Sequence, residues 1–297
     1  MPDDRSHSVD RSGNRRGWPN LEPIRSQANP LIKDIRSLQQ RRKRYQERAF
    51  VVEGVRLVED VIAAGVSPRI ILLREDMAER GMAMLPEALH AAVRVADAAV
   101  FASVSDVAHA QGVLAVVPML DWSPNELRHR AAPLILVIAG VRDPGNLGTL
   151  FRSAAGAGAD CILLTDDSVD PYNPKAVRAG MGSHFRVSFA VETPGALADI
   201  LSSCGVVGLA EADGELAYDN VDWTGSSAII VGGEASGASE AVRSLATVGV
   251  RVPLANGVES LNAAVAGSLM VFEAARQRRS ANPAGQAPTS APRRVVS

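Results

Sequence analysis

Cysteine is nearly absent from this chain: 297 residues carry two, Cys161 and Cys204. Their spacing matches no metal-ligand motif and Cys161 opens the apolar run CILLT, so both read as buried reduced thiols and no metal site is expected. Long apolar runs are missing as well. No stretch of about eighteen apolar residues occurs, which gives no membrane span, and MPDDRSHSVDRSGNRRGWPN at the front lacks the apolar segment of an export signal, so the expected location is the cytoplasm. A GxGxxG fingerprint after the first strand is lacking, as is a P-loop, which argues against a dinucleotide or nucleoside triphosphate enzyme. Net charge is also small, at −2, but it is unevenly spread. Residues 1–50 hold 12 Lys/Arg against 6 Asp/Glu, and the remainder holds 19 against 27. The densest positive run is Arg41-Arg42-Lys43-Arg44, which suits either a solvated helix face or an RNA-binding contact to several phosphates.

What is present is an apolar fraction of 46%, arranged in short blocks. The length allows two domains, each with its own core. The first twenty residues and SANPAGQAPTSAPRRVVS from Ser280 onward are polar or rich in Pro, Ser and Ala, and are read as disordered tails. From 21 to 120 helix and strand patterns alternate: Leu31, Ile32, Ile35 and Leu38 form a helical stripe, Ala49–Val52 a strand, Val55–Ile62 a helix, and Ile70–Leu73 and Val113–Val117 two more strands. Residues 121–132, DWSPNELRHRAA, read as a linker. From 133 to 279 the apolar runs at 134–139, 161–164, 187–191, 206–209, 228–231 and 248–252 alternate with helical patterns, as in an α/β domain with a mostly parallel sheet and helices on both faces. Ligands bind such sheets at the carboxyl ends of the strands.

Three loops in those positions carry unusual residues. After LILVIAG comes VRDPGNLGTLFRSA, where Asp143-Pro144-Gly145 forces a turn; Asn146 and Arg152, six apart, do not share a helix face unless Asn146 precedes the regular helix. Arg152 can reach the strand ends or join a surface ion pair, and taken alone the surface role is the simpler reading. After SAIIV comes GGEASGAS, in which Gly232 and Gly233 allow close backbone approach and Glu234 supplies a carboxylate. The third stretch, RVPLANGVESLNAAVAGSLMVFEAARQRR, runs from a β-branched strand through Asn256-Gly257 into a long helix. Ser260 and Asn262 stand at its start, with Ser260 read as a helix cap, and Leu261, Val265, Leu269 and Phe272 line one face.

With these three motifs in order, the sequence resembles the SpoU (TrmH-like) branch of the SPOUT RNA 2′-O-ribose methyltransferases. SVDPYNPKAVRAGMGSHFR resembles that family's connecting segment, and IRSQANPLIKDIRSL, FVVEG and QGVLAVV resemble its L30-like N-terminal substrate-binding domain. The resemblance covers roughly residues 24 to 277. It implies a C-terminal trefoil knot, which periodicity cannot reveal because threading is so rare. It further implies S-adenosylmethionine as cofactor, contacted at Gly232, Gly233, Val252, Pro253, Leu254 and Leu261, in a pocket completed by homodimerisation. Arg152 would meet ribose or phosphate, with Asn146 and Glu234 orienting it and Ser260 and Asn262 on the substrate side. The family's Arg has been proposed as general base, a demanding role for a guanidinium because it holds its proton so tightly; phosphate binding and stabilisation of charge on the 2′-oxygen fit it better. Gly233 stands where the family commonly has Asn, Ala235 and Ala238 where Gly and Leu are frequent, and Asn256 where Gly is common. The implied substrate is structured RNA, with large-subunit ribosomal RNA foremost. A tRNA substrate, an antibiotic-resistance role and a non-catalytic RNA-binding role stay open at this point.

Overall fold

The computed structural model describes residues 21–282 except 108, 124–126, 128 and 235–236. The tail expected at 1–20 lies outside the described residues, as does the second tail beyond Asn282. Ser280 and Ala281, expected in the second tail, instead continue the last helix.

The first half runs α1 (Pro30–Ser37), α2 (Arg41–Glu47), β1 (Ala49–Glu53), α3 (Val55–Ala63), β2 (Ile70–Arg74), α4 (Ala78–Met84), β3 (Val93–Ala96), α5 (Ala98–Ala102) and β4 (Val113–Pro118). Its sheet has the order β1-β4-β2-β3, with β4 antiparallel to both neighbours and β2 parallel to β3. Alternation along β4 divides its side chains between two layers. Leu114 and Val116 pack with Ile32, Ile35 and Phe101 from α1 and α5, whereas Val113, Ala115 and Val117 join Val58 and Val61 of α3. Asn29 starts α1 by accepting the Leu31 N–H, and Pro30 supplies the fixed φ of a first helical residue.

The second half runs β5 (Leu134–Ala139), α6 (Pro144–Ala157), β6 (Cys161–Thr165), α7 (Pro174–Ala179), β7 (Ser188–Glu192), α8 (Pro194–Leu201), β8 (Val206–Ala210), β9 (Leu216–Ala217), β10 (Ser227–Gly232), α9 (Glu240–Arg243), β11 (Val248–Arg251) and α10 (Ala263–Ala281). The seven strands have the order β7-β6-β5-β10-β8-β11-β9, and every pairing is parallel. Both faces are covered, so β5 and β10 read as unbroken apolar runs. On one face Leu136, Ile138, Ile229 and Val231 meet α6 and α10; on the other Ile135, Val137, Ala228 and Ile230 meet Leu197, Leu201 and Val242 of α8 and α9.

The halves share one core cluster. The Phe50 ring of β1 lies 4.7 Å from Tyr172 and 6.1 Å from Phe185, and Asp60 of α3 accepts from Arg186 at 2.5 Å. α10 packs on α6 and β10 through Ala264, Gly267, Met270, Val271 and Ala274, a face of mostly small residues. The apolar stripe noted in the sequence therefore points the other way: Val265, Leu269 and Phe272 are 46%, 38% and 46% exposed.

Candidate active site

The site grows from a divergence in the sheet. β5 leads through α6 to β6 on one side, whereas β10 leads through α9 to β11 on the other, so the loops leaving these adjacent strands part and open a crevice. Asp143 caps α6 by accepting the Asn146 N–H at 2.8 Å, which places Asn146 inside the helix rather than in the loop before it. At the far side Asn262 caps α10; its side-chain oxygen accepts from Ala264 and Val265 N–H at 2.9 and 3.2 Å. Ser260 is exposed and is not the cap.

These anchors align a chain of amides. With its oxygen committed to the helix start, Asn262 donates Nδ2 to Asn146 Oδ1 at 3.0 Å, and Asn146 in turn donates Nδ2 to Glu234 Oε1 at 2.5 Å. The loops after β5, β10 and β11 are thus joined in one network, and each amide is oriented by the next. Glu234 Oε2 makes no hydrogen bond with a described residue and is open to a hydroxyl donor.

Gly232 and Gly233 serve a closer purpose than ligand access. A Cβ on Gly233 would lie 2.1 Å from the Gly140 carbonyl oxygen, and one on Gly232 would lie 2.5 Å from the Ala238 nitrogen. Only glycine lets the ends of β5 and β10 approach this closely while Gly233 N–H still reaches Ala139 at 2.8 Å. At 233, where the family commonly has Asn, that contact leaves no room for a side chain in this chain, and Ala238 is buried beside it; Ala235 lies outside the described residues.

The stretch from Val252 to Asn262 forms no helix or strand, and Asn256 and Gly257 take φ of 56° and 72° in the expected turn. Within it Leu254 is exposed, and the N–H groups of Val252, Leu254 and Leu261 have no backbone partner among the described residues. Free main-chain donors beside apolar side chains suit a purine nucleoside, so Val252, Leu254 and Leu261 of the residues expected to hold S-adenosylmethionine fit it chemically.

Arg152 stands apart. Six residues along α6 carry it about 9 Å from Asn146 and a third of a turn around the helix. It is exposed, makes no hydrogen bond or ion pair with another described residue, and lines a 560 Å³ cleft with Arg56, Asp60, Met181, Arg186 and Phe272. The basic run is divided as well. Arg41 lies 5.6 Å above the Tyr45 ring, Arg42 is exposed and Lys43 half-buried. Arg44 is not an RNA contact: it is buried, donates to the Leu38 and Gln39 carbonyls at 2.9 and 2.8 Å, and pairs with Asp170 of the second half. A guanidinium with five donors can close α1 and cross the domain boundary at once, which a solvated lysine could not. Asparagine's preference for helix starts offered a signal for Asn262 as cap; Arg186 ends the segment SVDPYNPKAVRAGMGSHFR without standing out in it, and no motif marked Arg56.

Residues 133–272 match the SpoU rRNA Methylase family, and residues 29–115 match the MRM3-like substrate binding domain. The chain is 30% identical to the Bacillus subtilis 23S rRNA (guanosine(2553)-2'-O)-methyltransferase RlmP, over 85% of this chain and 98% of that protein. It is 31% identical to the mouse mitochondrial rRNA methyltransferase 3, over 80% and 69%. Among solved structures, the AdoMet-bound rRNA methyltransferase from Sinorhizobium meliloti superposes with a TM-score of 0.77 at 29% identity, covering 86% of this chain and 98% of that one. The SpoU methyltransferase AviRb from Streptomyces viridochromogenes, in complex with AdoMet, gives 0.75 at 26%, covering 85% and 99%.

Proposed function

This chain belongs to the SpoU rRNA methylase family, and we propose that it methylates a ribose 2′-OH in large-subunit ribosomal RNA, using S-adenosylmethionine. The observation that carries this reading is the network from Asn262 through Asn146 to Glu234, which joins the three loops at the strand ends. S-adenosylmethionine, when bound, supplies an electrophilic methyl carbon. The chain must then hold the alcohol in line and accommodate its departing proton. Glu234, fixed through one oxygen, accepts from the hydroxyl with the other. Arg152 keeps its charge, binds phosphate and stabilises the developing oxyanion. Gly232, Gly233, Val252, Pro253, Leu254 and Leu261 line the cofactor crevice, and Ser260 faces the substrate.

The same reading makes residues 21–120 the RNA-binding domain, with Arg41, Arg42 and Lys43 on phosphates, and 133–279 a knotted catalytic domain. The return of α10 from the far side of the sheet to lie on α6 and β10 is consistent with threading. A homodimer is supported by the outward stripe of Val265, Leu269 and Phe272, apolar surface that a second copy would cover. Arg152 borders that stripe through the cleft it shares with Phe272, so a second copy seated there lies beside it. A cytoplasmic location is in keeping with the likeness to the Bacillus subtilis enzyme. Incubation with radiolabelled cofactor and separated ribosomal and transfer RNAs is expected to label the large-subunit RNA at one primer-extension stop. Label confined to transfer RNA would overturn the substrate assignment.

A further inference from the structure

We infer that the cleft between the two halves, lined by Arg56, Arg152 and Arg186, is a binding track for the RNA backbone next to the methylated nucleotide. The inference rests on the reading of the chain as an RNA methyltransferase and adds a site to it. The three guanidiniums come from three different elements: α3 of the first half, α6, and the segment that follows α7. One carboxylate, Asp60, faces them in the cleft. It accepts from Arg186 at 2.5 Å and lies 3.9 Å from Arg56, and its side chain is 11% exposed against 76% for Arg56 and 55% for Arg186. A single shielded carboxylate cannot neutralise three outward guanidiniums, so the cleft carries a surplus of two positive charges. This stands out because residues 51–297 together carry −8. Converging arginines without matching carboxylates suit phosphate oxygens, which guanidiniums grip in bidentate fashion.

The walls pack closely. A Cβ on Gly182 would lie 2.4 Å from the Asp60 carboxylate, so glycine there lets the 180–186 segment close on α3, with φ at 79°. The preceding Met181 takes φ of 45°, a left-handed conformation that costs a non-glycine residue about 1–2 kcal/mol, and its side chain is 50% exposed in the cleft. Backbone held in this state at a charged cleft is the pattern of a functional surface. An apolar side chain beside cations also suits RNA, whose sugars and bases offer apolar faces between the phosphates. The volume of 560 Å³ lies within the ~300–1,000 Å³ of ligand sites. Since Arg152 belongs to both cleft and motif, a backbone seated along the track delivers its neighbouring ribose toward the Asn146 network.

The test is filter binding of deproteinised large-subunit ribosomal RNA to the full chain across a potassium chloride series, for wild type, Arg56→Gln, Arg186→Gln and Arg186→Lys. Cofactor affinity by calorimetry and the thermal midpoint are measured alongside. Each Gln variant is expected to weaken RNA binding several-fold and to lower the slope of log K against log salt by about 1, with cofactor affinity unchanged; Arg186→Lys should restore the slope. RNA affinity and salt slope equal to wild type in both Gln variants, while wild type binds and methylates RNA, would overturn the track. A wild-type chain that binds cofactor yet neither binds nor methylates RNA would instead defeat the methyltransferase reading, and the track with it.

Discussion

Asn262 serves two partners with one amide, capping α10 with its oxygen and ordering Asn146 with its nitrogen. The two roles separate by substitution. Asn262→Ala should cost about 1 kcal/mol of stability through the lost cap and should reduce methyl transfer. Asn262→Asp keeps a capping oxygen but loses the donor to Asn146, so its thermal midpoint should stay near wild type while transfer falls at least tenfold; wild-type transfer in that variant would remove the network from the mechanism. At the domain boundary, Arg44→Met leaves Asp170 buried without its cation and should destabilise the chain by about 3 kcal/mol in denaturant titration. Beside it, burial and the Asp170 carboxylate push the Tyr45 phenol up to about 12 from 10. The folded state holds that proton more tightly than the unfolded state. Its stabilising share is therefore whole below pH 10 and lost as pH rises from 10 toward 12. Tyr45→Phe should flatten the fall of the unfolding midpoint in that window, and an unchanged profile would contradict the assignment.

At the scale of elements, α10 shows what periodicity can and cannot settle. Leu261, Val265, Leu269 and Phe272 mark a helical face in the sequence, yet the buried face is the other one, built from Ala264, Gly267, Val271 and Ala274. Small residues let α10 approach α6 closely, whereas large apolar residues at the same spacing suit a partner outside the chain. Leu269→Asp should therefore yield a folded monomer in sedimentation, with far-ultraviolet circular dichroism like that of wild type; a monomeric wild type would refute the dimer. Gly233→Ala places a methyl against the Gly140 carbonyl and should weaken cofactor binding by distorting the β5–β10 crevice. The apolar runs of β5, β6, β8 and β10 were legible because central parallel strands are apolar throughout. β3, α5 and the two-residue β9 were not: each is short, and β9 exists through its pairing with β11. Ser260 and Asn262 stood two residues apart, and only the geometry of the turn decided which one caps.

For the whole molecule, the charge asymmetry in the sequence pointed to RNA but not to where RNA would lie. Arg44 belongs to the cluster by sequence and to the domain boundary by structure, because a buried Asp170 arrives from 126 residues away. Arg56 and Arg186 are 130 residues apart in the chain and meet only when α3 packs on the segment after α7. No local pattern encodes such a meeting. The three loops were legible for the opposite reason: each is a short motif with its own turn chemistry, and a parallel sheet brings the carboxyl ends of its strands to one edge. What the site those loops form is proposed to do is transfer methyl to a ribose oxygen. Nuclease digestion and mass spectrometry of large-subunit ribosomal RNA, after reaction with deuterated-methyl cofactor, tests it most directly. One nucleoside is expected to carry the labelled methyl on its 2′-oxygen, and to lose it when Arg152 is replaced by Lys; label on a base, or full labelling by that variant, would overturn ribose methylation by this site.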